Sequence, residues 1–295
     1  MAKITAAEVN KLRKHTGAGM MDCKKALVEA EGNFEEAIDI LRKKGQKVAA
    51  KRADRDAVEG AVLAGVNQDA TVGYIVSLNC ETDFVAKNDT FVDLTTQILN
   101  LAIDNSPKTA EELMALDMGG MPLAEKLVEQ TGVIGEKLEV KFFERLDSDF
   151  VGSYVHAGNR LATIVALNKN VDKAEEIAKD VAMQAAAMNP IALDKDAVEQ
   201  STIDRELEVG KDLARQEGKP EAMLDKIAMG RLNKFFKENT LVSQSFIKDS
   251  KMTVEKYVQS GDKDLKVTAF TGQIKRRGEF TRYGPIVKAL SVEGD

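Results

Sequence analysis

Ile75-Val76-Ser77-Leu78-Asn79 returns 89 residues later, without a gap, as Ile164-Val165-Ala166-Leu167-Asn168. Both runs have the length and β-branched content of a buried strand. A glycine-containing strand and a turn precede each copy: Glu59–Val66 with Asn67-Gln68-Asp69, and Val151–Tyr154 with Ala157-Gly158-Asn159. A helical spacing follows each, through Phe91, Leu94, Ile98, Leu101 and Ala102 in the first and Ala174, Ile177, Ala178, Val181, Ala182 and Ala185 in the second. Five similar residues carry little weight alone, but agreement in the flanking elements makes this a repeated plan. The expected fold class is α+β, with two related α+β subdomains built on antiparallel strands.

Upstream, the sequence predicts a three-helix bundle over residues 1–45. Thr5-Ala6-Ala7-Glu8 is a capping box, Gly17-Ala18-Gly19 breaks the first helix, Asp22 is placed to cap the second, and Gly32 ends it. Asn33-Phe34-Glu35-Glu36 reads as a second capping box that opens a third helix through Ala37, Ile38 and Leu41. A basic tether at 46–58, helical or flexible, leads to the first subdomain at 59–146. The second, at 147–270, includes an amphipathic helical hairpin at about 194–239 and a last strand at Val267–Phe270. Val198, Ile203, Leu207, Leu213 and Ala214 are expected to line one arm of the hairpin, and Leu224, Ile227, Ala228, Leu232 and Phe235 the other. Segment 271–295 carries no assigned role.

The chain has 295 residues, 43% hydrophobic and 31% charged, with no Trp, 5 Pro and a net charge of −6. That balance excludes disorder and collagen, and the absence of a long apolar run argues against a membrane protein. Residues 1–55 hold 13 Lys/Arg against 8 Asp/Glu, leaving the remainder strongly acidic. The excess sits in Arg42-Lys43-Lys44-Gly45-Gln46-Lys47-Val48-Ala49-Ala50-Lys51-Arg52, which reads either as a solvated linker or as a surface for RNA phosphates. Cys23 and Cys80 are 57 residues apart without CxxC spacing, so neither a disulfide framework nor a zinc module is expected. The opening Met1-Ala2-Lys3-Ile4-Thr5 lacks an apolar signal core, and a cytoplasmic protein is expected.

An enzyme needs convergent groups, and this chain offers few. His15 closes a helix where a cation suits the dipole, and His156 lies in a hairpin turn. Cys80 reads as a small core residue. No phosphate-cradling, dinucleotide, zinc-protease or nucleophile-elbow motif occurs. No catalytic residue, metal or cofactor is expected. The odd segment is Cys80-Glu81-Thr82-Asp83-Phe84-Val85-Ala86-Lys87-Asn88-Asp89, with a carboxylate and a large ring side by side at a strand-to-helix turn. Either Asp83 caps the helix while Phe84 folds back as a staple, or the pair is presented to a partner.

Two long segments resemble the signatures of the translation elongation factor Ts family: Leu12-Arg13-Lys14-His15-Thr16-Gly17-Ala18-Gly19-Met20-Met21-Asp22-Cys23-Lys24-Lys25-Ala26-Leu27, and Asn79-Cys80-Glu81-Thr82-Asp83-Phe84-Val85-Ala86-Lys87. The resemblance runs on through Gly152-Ser153-Tyr154-Val155-His156 to about residue 270, and departs at 271–295 and over Ile103–Val133. It implies a guanine-nucleotide exchange factor for elongation factor Tu, with a ubiquitin-associated-like N-terminal bundle that docks on the partner's nucleotide-binding domain. It further implies that Thr82, Asp83, Phe84 and Val85 enter beside the partner's magnesium site. Phe84 would wedge near partner histidines, the ion would be displaced, and GTP binding would release the factor. Arg13, Gly17, Met20, Met21 and His156 fall at further partner contacts, and the helical hairpin at a self-association surface for a homodimer. The competing reading is an RNA- or ribosome-associated adaptor using residues 42–55. Neither reading involves DNA or a membrane.

Overall fold

The computed structural model describes residues 4–276 and 279–284. Of these, residues within Met1–Ala61, Val76–Phe143 and Arg277–Glu279 form one compact unit, and those within Val62–Ile75, Glu144–Arg276 and Phe280–Asp295 form another.

The first unit opens with α1 (Ala6–Thr16), α2 (Met20–Glu29) and α3 (Phe34–Arg52). Thr5 and Glu8 form the reciprocal cap the sequence predicts, with the Glu8 carboxylate taking the Thr5 N–H at 2.7 Å and the Thr5 hydroxyl taking the Glu8 N–H at 3.3 Å. Gly17 ends α1 in the left-handed region at φ 72°. Leu12, Cys23, Leu27 and Ala37 close the bundle core.

Two local expectations need correction. Gly19, not Asp22, stands at the α2 N-cap: its carbonyl accepts the N–H groups of Asp22 and Cys23, so Asp22 lies inside the first turn, where its carboxylate pairs with Lys44. Asn33 caps α3 from its side chain, but its own N–H donates to the Ala30 carbonyl at 2.8 Å, so Glu36 does not complete a box. The basic stretch is helical through Arg52, as part of α3.

The unit continues with α4 (Asp83–Ala86), α5 (Asp89–Asn105), α6 (Ala110–Ala115) and α7 (Leu123–Ile134). On α5, Leu99 is buried beside Phe91, Leu94, Ile98 and Ala102, whereas Leu101 is only half-buried. The stretch 103–133, over which the resemblance departs, holds the end of α5, all of α6 and most of α7. Helix α7 crosses α3 where a Cβ on Gly132 would lie 2.2 Å from the Gly45 Cα, so only glycine fits at position 132. The three strands β1 (Glu59–Val66), β2 (Val72–Cys80) and β3 (Glu139–Asp147) form one sheet in the order β1-β2-β3.

In the second unit, β4 (Phe150–Val155) and β5 (Leu161–Leu167) pair antiparallel, with Gly152 opposite Val165. Helix α8 (Ala174–Met188) packs so closely on β4 that a Cβ on Gly152 would stand 2.4 Å from the Ala178 Cβ and 3.1 Å from its carbonyl carbon. After α8 come the hairpin helices α9 (Gln200–Gln216) and α10 (Leu224–Asn239). They meet through Gly210 and Ala214 on one side and Leu224, Ala228 and Leu232 on the other. Leu213, expected to line that seam, is 41% exposed, because the close Gly210–Ala228 approach centres the contact one step away.

The unit is completed by β6 (Ser245–Phe246), β7 (Asp249–Thr253), α11 (Val254–Gln259), β8 (Val267–Arg276) and β9 (Glu279–Tyr283). The main sheet runs β4-β5-β8-β9, and Val165, Val181, Ala185, Val258 and Phe270 sit in its core. The last strand thus extends six residues beyond Phe270, and the first four of these, to Ile274, are opposite β5. Of segment 271–295, residues 277–278 and 285–295 lie outside the described residues.

Candidate functional site

Strand β2 is fully buried from Gly73 through Cys80, and the chain then turns outward. Thr82, not Asp83, is the N-cap of α4: its extended backbone aims the hydroxyl at the Val85 N–H, 3.5 Å away. Asp83, one residue inside, receives the Lys87 ammonium at 2.6 Å. Phe84 does not fold back onto the scaffold. Its side chain is 84% exposed, the highest value among the exposed large hydrophobic residues described. Water against a whole aromatic ring is unfavourable by roughly 1.5–3 kcal/mol relative to burial. The fold therefore holds that free energy in reserve for whatever covers the ring.

The base of this tip is polar and tightly bonded. The Glu136 carboxylate accepts the N–H of Glu81 at 3.1 Å, the N–H of Thr82 at 3.0 Å and the Thr82 hydroxyl at 2.6 Å. Arg52 donates to both oxygens of Glu81, at 2.7 and 2.8 Å. Burial pushes the Glu81 carboxyl up, but the Lys137 N–H and the Arg52 guanidinium outweigh it and hold the group below the usual carboxylate range. Beneath them, burial and the charge of Glu136 push the Cys80 thiol up to about 12. It stays protonated at neutral pH and is a poor nucleophile. Glu136, Arg52 and Lys137 carry no signal in the sequence as supports of this tip, since the tip residues they bond lie 29 to 56 positions away.

The remaining sequence candidates fall at two other places. Arg13 and Gly17 end α1 and Met20 and Met21 begin α2, all four exposed, with the methionines at 52% and 63%. They form one continuous corner of the bundle. Beside it lies a cavity of about 150 Å³ bordered by His15, Asp22, Lys44 and Glu129, below the roughly 300–1,000 Å³ of small-molecule pockets. His156, in the second unit, is exposed in the β4–β5 turn, and its Nδ1 lies 2.9 Å from the Tyr154 hydroxyl. Among the described residues no group of three or more His, Cys, Asp or Glu side chains is arranged to hold a metal, and no helix is long and apolar enough to cross a membrane.

The family model for elongation factor Ts matches residues 81–274, from the base of the tip to Ile274 within β8. Elongation factor Ts of Christiangramia forsetii is 62% identical over 270 residues, spanning 92% of this chain and 98% of that protein. The protein of the same name from Flavobacterium psychrophilum is 58% identical over 270 residues, with the same coverage, and that of Amoebophilus asiaticus 54% identical over 258 residues, covering 86% and 92%. The chain belongs to the elongation factor Ts family. Its role lies in the elongation phase of translation. The matched region starts at Glu81, so Glu81, Glu136 and the ring of Phe84 all fall within it.

Proposed function

We propose that this chain is the guanine-nucleotide exchange factor of elongation factor Tu, and that Thr82, Asp83, Phe84 and Val85 form the element that disturbs the partner's magnesium and phosphate site. The observation that carries this reading is the 84% exposure of Phe84 on a tip whose base is fixed by charged hydrogen bonds. A large ring held in water on a fixed turn is an anchor awaiting a pocket. Magnesium is among the strongest local charges in a nucleotide site, so shifting its surroundings weakens phosphate binding out of proportion to the contact made.

The factor needs no catalytic acid, base or metal of its own. Linkage supplies the cycle: whatever factor weakens GDP binding on its arrival is the factor by which nucleotide weakens its own binding. It therefore favours the empty partner and leaves when GTP enters. In this reading residues 1–45 dock through Arg13, Gly17, Met20 and Met21, while His156 makes a separate contact from the second subdomain (147–270). The first subdomain (59–146) presents the tip, and the hairpin at 194–239 serves self-association. The adaptor reading through residues 42–55 is weakened because Lys44 is paired with Asp22 and Arg52 with Glu81.

Stopped-flow release of labelled GDP from elongation factor Tu tests the proposal. The wild-type chain should accelerate release, and Phe84→Ala and Asp83→Ala should each slow it. Acceleration undiminished in both variants would sink the wedge assignment. RNA binding that falls steeply with salt, with no effect on GDP release, would favour the adaptor.

A further inference from the structure

A four-residue helix such as α4 does not hold itself together, since helix nucleation is unfavourable and only a few bonds follow it. Something outside must fix the turn that carries Phe84. Two glutamates do so by exchanging backbone amides. Glu136 lies just past Gly135, the left-handed residue that ends α7, and its carboxylate takes the N–H groups of Glu81 and Thr82. Glu81 in turn takes the Lys137 N–H at 2.7 Å, while Arg52, the last residue of α3, donates to both of its oxygens. The Lys137 ammonium closes the ring on the carbonyls of Ala53 and Arg55, each at 3.0 Å.

The Thr82 hydroxyl is the pivot. Its one proton goes to Glu136 at 2.6 Å, which leaves its lone pairs facing the Val85 N–H. The Glu136 carboxylate therefore orients the cap as well as anchoring the backbone before it. We infer that Glu136 is a positioning residue for exchange, its carboxylate holding the Thr82–Val85 turn so that Phe84 stays presented, with Glu81 and Lys137 as the reciprocal half of the latch. The inference rests on the exchange reading above and adds to it the residue that sets the geometry of the wedge. Glu136 touches neither nucleotide nor magnesium in this scheme and acts through the tip alone.

The test uses the full chain with Glu136→Ala, the milder Glu136→Gln and the control Glu125→Gln, at an exposed position near the start of α7. The first readout is amide hydrogen exchange of the free proteins. In Glu136→Ala the amides of Val85 and Ala86 should exchange on the order of tenfold faster, while those of Val76 and Leu78 in β2 stay unchanged. The second is labelled-GDP release from elongation factor Tu over a range of factor concentrations. Glu136→Ala should lower the maximal rate by roughly tenfold or more with little change in half-saturating concentration, because docking lies elsewhere and only orientation is lost. Glu136→Gln keeps an acceptor oxygen without the charge and should fall between, and Glu125→Gln should match wild type.

Unchanged tip exchange in Glu136→Ala, or protection lost equally along β2, overturns the inference, the second outcome marking a merely structural residue. Should Glu136→Ala fail to fold, Glu136→Gln decides by the same two readouts. A wild-type chain that leaves GDP release untouched would overturn the exchange reading and this role with it. The hydrogen-exchange comparison, made without the partner, tells that failure apart from a loose latch.

Discussion

The two copies of the repeated strand both end in an asparagine, and the two asparagines act in opposite ways. Asn79 is fully buried, donating to the Ala57 carbonyl at 2.9 Å and accepting from the Ser77 hydroxyl at 2.8 Å. Its bonds lie behind the strand exit, and the chain beyond is latched with Phe84 facing water. Asn168 is half-buried and bonds forward, accepting the Lys266 N–H at 2.7 Å and donating to the Asp264 carbonyl at 3.0 Å. Lys169 follows it onto Asp262 at 2.8 Å, so the second exit is tied to the loop before β8. A continuously buried strand followed by helical spacing sets the same plan in each copy, whereas the polar groups at the exit decide which copy presents a side chain. Function resides in that polar detail and not in the shared plan.

The sharpest way to break this contrast is to exchange-test equivalent positions. Phe84→Ala should slow GDP release by about one to two decades, the equivalent of the roughly 1.5–3 kcal/mol of a ring's burial, with no loss of thermal midpoint. Lys173→Ala, at the position 89 residues on, should leave release unchanged, and an equal effect at both sites would erase the distinction. Next in size is Gly152→Ala, whose new methyl group would press on the α8 backbone. It should destabilise the chain by about 1–3 kcal/mol in denaturant titration, and an unshifted midpoint would mean that α8 backs away freely.

Asn79→Ala should cost about 1–3 kcal/mol, because it leaves buried partners unsatisfied. The half-buried Asn168→Ala should cost about 1 kcal/mol by the same measurement, since water replaces its bonds. The smallest effect is on pH dependence. Glu81 and Asp262 are both held below their ordinary ranges, Glu81 by Lys137 and Arg52 against burial, Asp262 chiefly by Lys169. A depressed carboxyl contributes stability that is present above its unfolded value, near 4 to 4.5, and is lost as pH falls through its folded value. Glu81→Gln and Asp262→Asn should therefore trail wild type at pH 7 and converge with it in acid. A gap that widens on acidification would reverse the sign.

Much of this architecture was legible in the sequence because it rests on local rules. Thr5 and Glu8 are three residues apart and announce their own cap, and the spacing from Ala174 to Ala185 marks a face that is buried throughout. Helix α7 was hidden for a physical reason: Gly132 within it serves the crossing with Gly45, so a residue that weakens the helical pattern is the one that packing demands. The exposed tip could be singled out because an aromatic beside a carboxylate is out of place at a turn. Its latch could not, since Glu136 and Arg52 are ordinary surface residue types until the fold brings them to Glu81 and Thr82. Leu213 fell outside the hairpin seam for a related reason, because Gly210 rather than a large side chain sets where α9 and α10 touch.

The glycine-on-glycine crossing of α3 and α7 bears on how freely this molecule can be rearranged. A helix count alone would treat the N-terminal bundle as a cassette to be removed or traded among relatives at residue 45. That cut falls on Gly45 itself, the closest point of the crossing, and upstream of Arg52, which steadies the far side of the latch. A chain shortened there would bare the α7 face that the front of α3 covers and leave Arg52, the partner of Glu81, on a seven-residue remnant of that helix. Transplants between homologues should therefore carry α3 whole and keep Gly132, where a Cβ would meet the Gly45 backbone.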